Sequence, residues 1–95
     1  MSKTEIYQKA IEKWGEKSQL EMLQEEATEL ALATRKFIRV PCDRTKFDLV
    51  GEIADVEIMI EQFKMMHPDI AEQLENKKRF KINRLSDRIK NNEYD

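Results

Sequence analysis

The sequence predicts an all-α fold, a small antiparallel helical bundle completed by oligomerisation. Three features carry that expectation: few chain breakers, apolar residues at helical spacing, and short connectors. Only two Gly and two Pro occur in 95 residues otherwise rich in Glu, Lys, Leu, Ile and Met, a composition that favours long helices over hairpins. A chain of this length makes one small domain, read here as spanning residues 1–95, without a deep core of its own. It shows no internal repeat or low-complexity tract.

Four helical segments are expected. The first runs from about Thr4 to Trp14, opened by a Ser2 or Thr4 cap and closed near Gly15. The second runs from about Ser18 to Arg39; Ser18 followed by Glu21 has the pattern of a capping box, and Val40-Pro41 ends the helix. The third runs from about Arg44 to Met66 with Asp43 as its cap. The fourth starts at Pro68 or Asp69, where Pro suits the first turn, and reaches about Asn91. Residues 91–95 read as a frayed tail. Connectors this short favour antiparallel neighbours.

At about 100° per residue, Leu20, Leu23, Ala27, Leu30, Thr34, Phe37 and Ile38 form one apolar arc on the second helix. Glu26 falls at the edge of that arc, Glu29 one step further round, and Glu25 further toward the outside. On the third helix, Leu49, Val50, Ile53, Val56, Ile60 and Phe63 make the main apolar face. Glu52 lies on one border of it, and Asp55 just beyond. A second apolar stripe, Phe47, Ala54, Ile58 and Met65, asks for cover on another side, which predicts a homo-oligomer. Glu26 with Glu29, and Glu52 with Asp55, are thus two i, i+3 carboxylate pairs beside core faces. Converging without cations, such groups repel and are costly to desolvate. A divalent cation removes the conflict, and oxygen ligands without His or Cys suit Mg²⁺ or Mn²⁺ rather than Zn²⁺. Acidic i, i+3 pairs are also common on solvated helix faces, so spacing alone leaves both readings open.

The wider pattern, Gln24-Glu25-Glu26-Ala27-Thr28-Glu29-Leu30 followed by Gly51-Glu52-Ile53-Ala54-Asp55-Val56, resembles the MazG-like all-α nucleoside triphosphate pyrophosphohydrolases. Their hallmark is E-E-x-x-E, a spacer, then E-x-x-D, and every acidic position is present. The resemblance extends to Lys13-Trp14-Gly15-Glu16 with Gln19, to Ile58-Met59-Ile60-Glu61-Gln62, and to Lys81-Ile82-Asn83-Arg84-Leu85, covering roughly residues 5 to 89. It implies Mg²⁺-dependent hydrolysis of a (d)NTP to the monophosphate and pyrophosphate, in the service of nucleotide-pool housekeeping. Glu26, Glu29, Glu52 and Asp55 match the metal ligands. Glu25 and Glu26 become the catalytic pair, with Glu25 matching the residue that orients or activates the attacking water. Lys81 and Arg84 are candidates to hold phosphates, with Lys77, Lys78, Arg79 and Arg88 as nearby competitors. Trp14 is a candidate to stack on the base and Gln19 to reach substrate. The resemblance points to a homodimer or a dimer-of-dimers tetramer.

Other classes are disfavoured. A net charge of −2 gives no global positive field for phosphate polymers, which argues against nucleic acid as a partner. No apolar run is long enough for a membrane span or a signal peptide. The single Cys42 cannot form an intramolecular disulfide, which suits the cytoplasm. His67, before Pro68, reads as a helix-end residue rather than a catalyst. The main alternative is a non-catalytic helical oligomer, an interaction or regulatory protein that retains the acidic motif.

Overall fold

The structure, a computed structural model, describes residues Met1–Asn91 and is all-helical, with no strand among the described residues. Three helices follow one another: α1 (Lys3–Arg39), α2 (Asp43–Met66) and α3 (Pro68–Lys90). Apart from Asn91, which caps α3, the expected frayed end lies outside the described residues. No helix among them is long and apolar enough to cross a membrane.

α1 joins two helical stretches across a kink at Gly15, where the sequence places the end of the first expected helix. There the backbone takes φ 87° and ψ 159°, a conformation almost confined to glycine because a Cβ would strain it. A side chain would meet no neighbour within 4 Å, so the requirement for glycine comes from the backbone alone. The second stretch begins right after Gly15, so Ser18 lies within its first turn and not at its cap. The N-cap of α1 is Ser2, one of the two caps expected, whose hydroxyl accepts from the Glu5 amide at 3.1 Å while the Glu5 carboxylate accepts from the Ser2 amide. At α2 the cap position is Cys42 rather than Asp43. The Thr45 hydroxyl accepts from the Cys42 amide at 3.2 Å and donates to the Val40 carbonyl at 2.7 Å, closing the turn after Pro41.

The packing is concentrated on one seam between α1 and α2. The covered positions of α1 beyond the break are Gln19, Leu23, Glu26, Leu30, Ala33 and Phe37, alternating steps of four and three as a helix-packing stripe requires. Those of α2 include Leu49, Glu52, Val56, Met59, Phe63 and Met66, with the same rhythm. Glu26 and Glu52 therefore occupy seam positions, and not the border of an apolar face. Leu20, Ala27, Thr34 and Ile38, expected in the core of the second helix, are exposed. So are Val50 and Ile53, expected on the main face of the third.

Polar contacts fix the register of this seam. The Tyr7 hydroxyl donates to Glu61 at 2.8 Å, and Lys3 pairs with the same carboxylate at 3.2 Å. These two partners hold the Glu61 carboxyl below its ordinary range. Gln19 and Gln62 are both buried, and the Gln19 amide donates to the Gln62 carbonyl oxygen at 2.6 Å. Removing one partner strands the other without water. Gln19→Leu is expected to destabilise the chain by about 1–3 kcal/mol, and the double change Gln19→Leu with Gln62→Leu by much less. Urea unfolding of the four-member cycle measures both.

The last helix departs from the expected bundle. A single residue, His67, separates α2 from α3, and α3 packs only against α2, with no contact to α1. Ile70 and Leu74 near its start are half-buried, and every residue from Glu75 to Asn91 is exposed. His67 itself lies edge-on to Phe63, with ring centroids 5.4 Å apart, and meets Glu16 at 3.4 Å beside the Gly15 break. The chain is correspondingly extended. Its radius of gyration is 16.7 Å, against about 12 Å for a compact domain of this length.

Candidate metal centre

Glu26 on α1 and Glu52 and Asp55 on α2 bring carboxylate oxygens together, each within 4.8 Å of the others. Seam packing explains the convergence. Glu26 and Glu52 project between the two helices, and Asp55, one turn beyond Glu52, reaches the same point from the exposed edge. Partial desolvation pushes the Glu26 carboxyl above its ordinary range. The Asp55 charge, a hydrogen bond to Asp55, and then the charges of Glu52 and Glu25 push it the same way.

This donor set fits a hard cation. Oxygens bound to one Mg²⁺ at about 2.1 Å lie at most about 4.2 Å apart, a spacing comparable with the 4.8 Å within which the three groups lie. No nitrogen or sulfur ligand belongs to the cluster, which disfavours zinc.

An open cleft of about 390 Å³ adjoins the cluster between α1 and α2, near the lower end of the range for small-molecule sites. Glu29, Asp48, Glu52 and Asp55 line it together with Lys36, Thr45 and the apolar Leu32, Ala33 and Phe47. Glu29 thus shares the cleft without belonging to the three-oxygen cluster. Glu25 lies on the outer side of α1, lining a separate depression with Glu21, Gln24 and Thr28. Glu29 lines both.

The remaining candidates are not assembled within one chain. Gln19 is committed to Gln62 in the seam and has no free face to offer substrate. Trp14 is 57% exposed with the Lys13 ammonium 5.4 Å from its ring. It precedes the Gly15 break, twelve residues before Glu26. Lys81 and Arg84 sit on the solvated length of α3, away from α1.

Two charged residues of the cleft, Asp48 and Lys36, lie outside the sequence motif. Asp48 lies four positions before Glu52 and seven before Asp55, and Lys36 seven after Glu29. Heptad offsets of this kind put a side chain on the same face, and following the face instead of the motif finds them.

Comparison with family models, with curated proteins and with solved structures gives no match to this chain.

Proposed function

We propose that this chain is a Mg²⁺-dependent nucleoside triphosphate pyrophosphohydrolase of the MazG-like all-α type, an antiparallel bundle completed by oligomerisation. The observation that carries the proposal is the convergence of Glu26, Glu52 and Asp55 in the α1–α2 seam, beside a cleft open to a small molecule. Carboxylates in a packing seam work against folding unless something uses them, and the motif resemblance of these same positions supplies a use.

Glu26, Glu52 and Asp55 would hold the cation, with Glu29 completing the set from the cleft wall. Bound there, Mg²⁺ neutralises phosphate charge and lowers the pKa of a water molecule. Hydrolysis at the α–β link puts the water oxygen on phosphorus, breaks the bridging P–O bond and yields monophosphate and pyrophosphate. The proton lost from water needs an acceptor. Glu25, which stands outside the three-oxygen cluster, is the candidate to orient the water and take that proton. No covalent nucleophile is required, because positioning and electrostatics carry such reactions. Lys36 at the cleft wall, and Lys81 and Arg84 on α3, are the cations available to the remaining phosphate oxygens.

A panel of NTPs and dNTPs incubated with the chain and Mg²⁺ tests the proposal. Pyrophosphate release from at least one nucleotide is expected, and its absence across the panel together with no Mg²⁺ binding overturns it in favour of a non-catalytic helical oligomer.

A further inference from the structure

The last helix concentrates positive charge in a chain that is acidic elsewhere. Residues 77–90 of α3 hold seven Lys or Arg against the single Asp87, a net charge of +6 in a chain whose total is −2. All of them are exposed, and together they extend about 21 Å at the helical rise. α3 is also the most amphipathic of the three helices, although its mean hydropathy is the lowest. That combination marks a helix suited to lie at an interface and not to enter a core.

The arrangement around the helix is specific. At about 100° per residue, Ile82, Leu85 and Ile89 share one side of α3, and they are 61%, 42% and 61% exposed. Lys77, Lys81 and Arg88 border this stripe on one flank, Arg79 and Lys90 on the other. Lys78 falls within it, on a stem long enough to lie along the aliphatic side chains and carry its ammonium to the edge. The one acid, Asp87, falls on the far side with Arg84 and Phe80. Phe80 lines a separate groove there with Ile70 and Leu74. An aliphatic stripe between two rows of cations matches a lipid headgroup layer, apolar side chains toward the acyl boundary and cations level with the phosphates.

We infer that α3 docks the chain on an anionic membrane surface, with Ile82, Leu85 and Ile89 at the headgroup boundary and the flanking cations on lipid phosphates. A helix lying in that plane needs no membrane-crossing length. Charge complementarity selects an anionic surface over a neutral one, and the stripe selects lipid over nucleic acid. A phosphate backbone would engage the two rows of cations and leave the aliphatic side chains between them in water. A bilayer gives both a place. The rest of the chain favours the same orientation. Residues 1–76 carry ten Lys or Arg against sixteen acids, so the surface that attracts α3 repels the α1–α2 body. Because α3 meets α2 alone and has no contact with α1, its charged length is free to lie against a plane. The inference is independent of the hydrolase proposal, and Lys81 is the one flanking cation that figures in both.

The test is flotation of the full chain with unilamellar vesicles, either pure phosphatidylcholine or containing about one-third phosphatidylserine. Wild type is expected to float with the anionic vesicles, to ignore the neutral ones, and to bind less as salt is raised. Two variants, checked for helix content by circular dichroism, separate the parts of the surface. Ile82→Ser with Ile89→Ser keeps every charge and is expected to weaken binding by at least about tenfold. Arg79→Gln with Lys90→Gln keeps the stripe and is expected to cost about fivefold for each cation removed. No binding to the anionic vesicles overturns the inference, whether α3 stays free or is covered by a second copy. So does equal binding to neutral vesicles, an unchanged affinity in the folded serine variant, or duplex RNA held more tightly than the vesicles. None of these readouts uses turnover, so their failure leaves the hydrolase proposal to its own assay.

Discussion

Replacing Glu52 by Gln is expected to lower pyrophosphohydrolase kcat/KM by roughly a hundredfold or more while leaving the helix content unchanged. The substitution keeps the shape of a side chain packed in the α1–α2 seam and removes one of three carboxylates whose oxygens lie within 4.8 Å of one another. A neutral amide is a poor Mg²⁺ ligand, so phosphate neutralisation and water activation are lost together. Asp48→Asn is the informative control. Asp48 lines the same cleft but lies outside the three-oxygen cluster, and its loss is expected to cost less than about tenfold. Steady-state kinetics on both variants, at saturating Mg²⁺, separates a metal ligand from a residue that only colours the cleft.

The second large effect concerns stability and reverses with metal. Glu26 feels partial desolvation and the charges of Asp55, Glu52 and Glu25, all of which raise its pKa. The folded chain therefore binds this proton more tightly than the unfolded chain. The resulting stabilisation is complete below the ordinary carboxylate value of 4.5 and is lost as pH rises through the raised one. In metal-free buffer near neutrality, Glu26→Gln is then expected to stabilise the fold. Each removed carboxylate repulsion at such distances contributes roughly 1 kcal/mol even with water-like screening, enough for a rise of several degrees in Tm. With Mg²⁺ present the order inverts, because wild type gains ligand-linked stability that the variant lacks. Glu61, held low by Tyr7 and Lys3, works in the opposite sense with pH. The difference between wild type and Glu26→Gln at each pH isolates Glu26, and thermal unfolding across pH 4 to 8 (about that span) with and without Mg²⁺ supplies it. A variant less stable than wild type in metal-free buffer at neutrality contradicts the repulsive centre.

Much of this was legible from residue spacing, and the exceptions share a physical cause. Helix boundaries at Arg39, Met66 and Pro68 follow from proline and its effect on the preceding residue, and Gly15 marks a real break. The second stretch of α1 starts right after that break, so Ser18 stands inside its first turn and not at the cap. The acidic cluster was visible in the spacing, as Glu26 and the i, i+3 pair Glu52 and Asp55. Its depth was not, because arcs drawn through apolar residues alone exclude Gln19, Glu26, Glu52 and Gln62 from the stripe to which their steps of three and four assign them. The seam tolerates Gln19 and Gln62 because they satisfy each other, and Glu26 and Glu52 sit where the cleft admits solvent or a ligand. The exposure of α3 follows from its connection: one residue after α2 it leaves the seam and meets only that helix, although Ile82, Leu85 and Ile89 share one side of it.

The central proposal, hydrolysis of a nucleoside triphosphate at the carboxylate centre, is tested most directly by ³¹P NMR. The nucleotide turned over fastest in the panel is followed to completion with Mg²⁺ and wild-type protein. Conversion to nucleoside monophosphate and inorganic pyrophosphate in equal amounts is expected, with no conversion by Glu52→Gln. Nucleoside diphosphate with inorganic phosphate, or identical turnover by wild type and Glu52→Gln, contradicts the assignment of this chemistry to Glu26, Glu52 and Asp55.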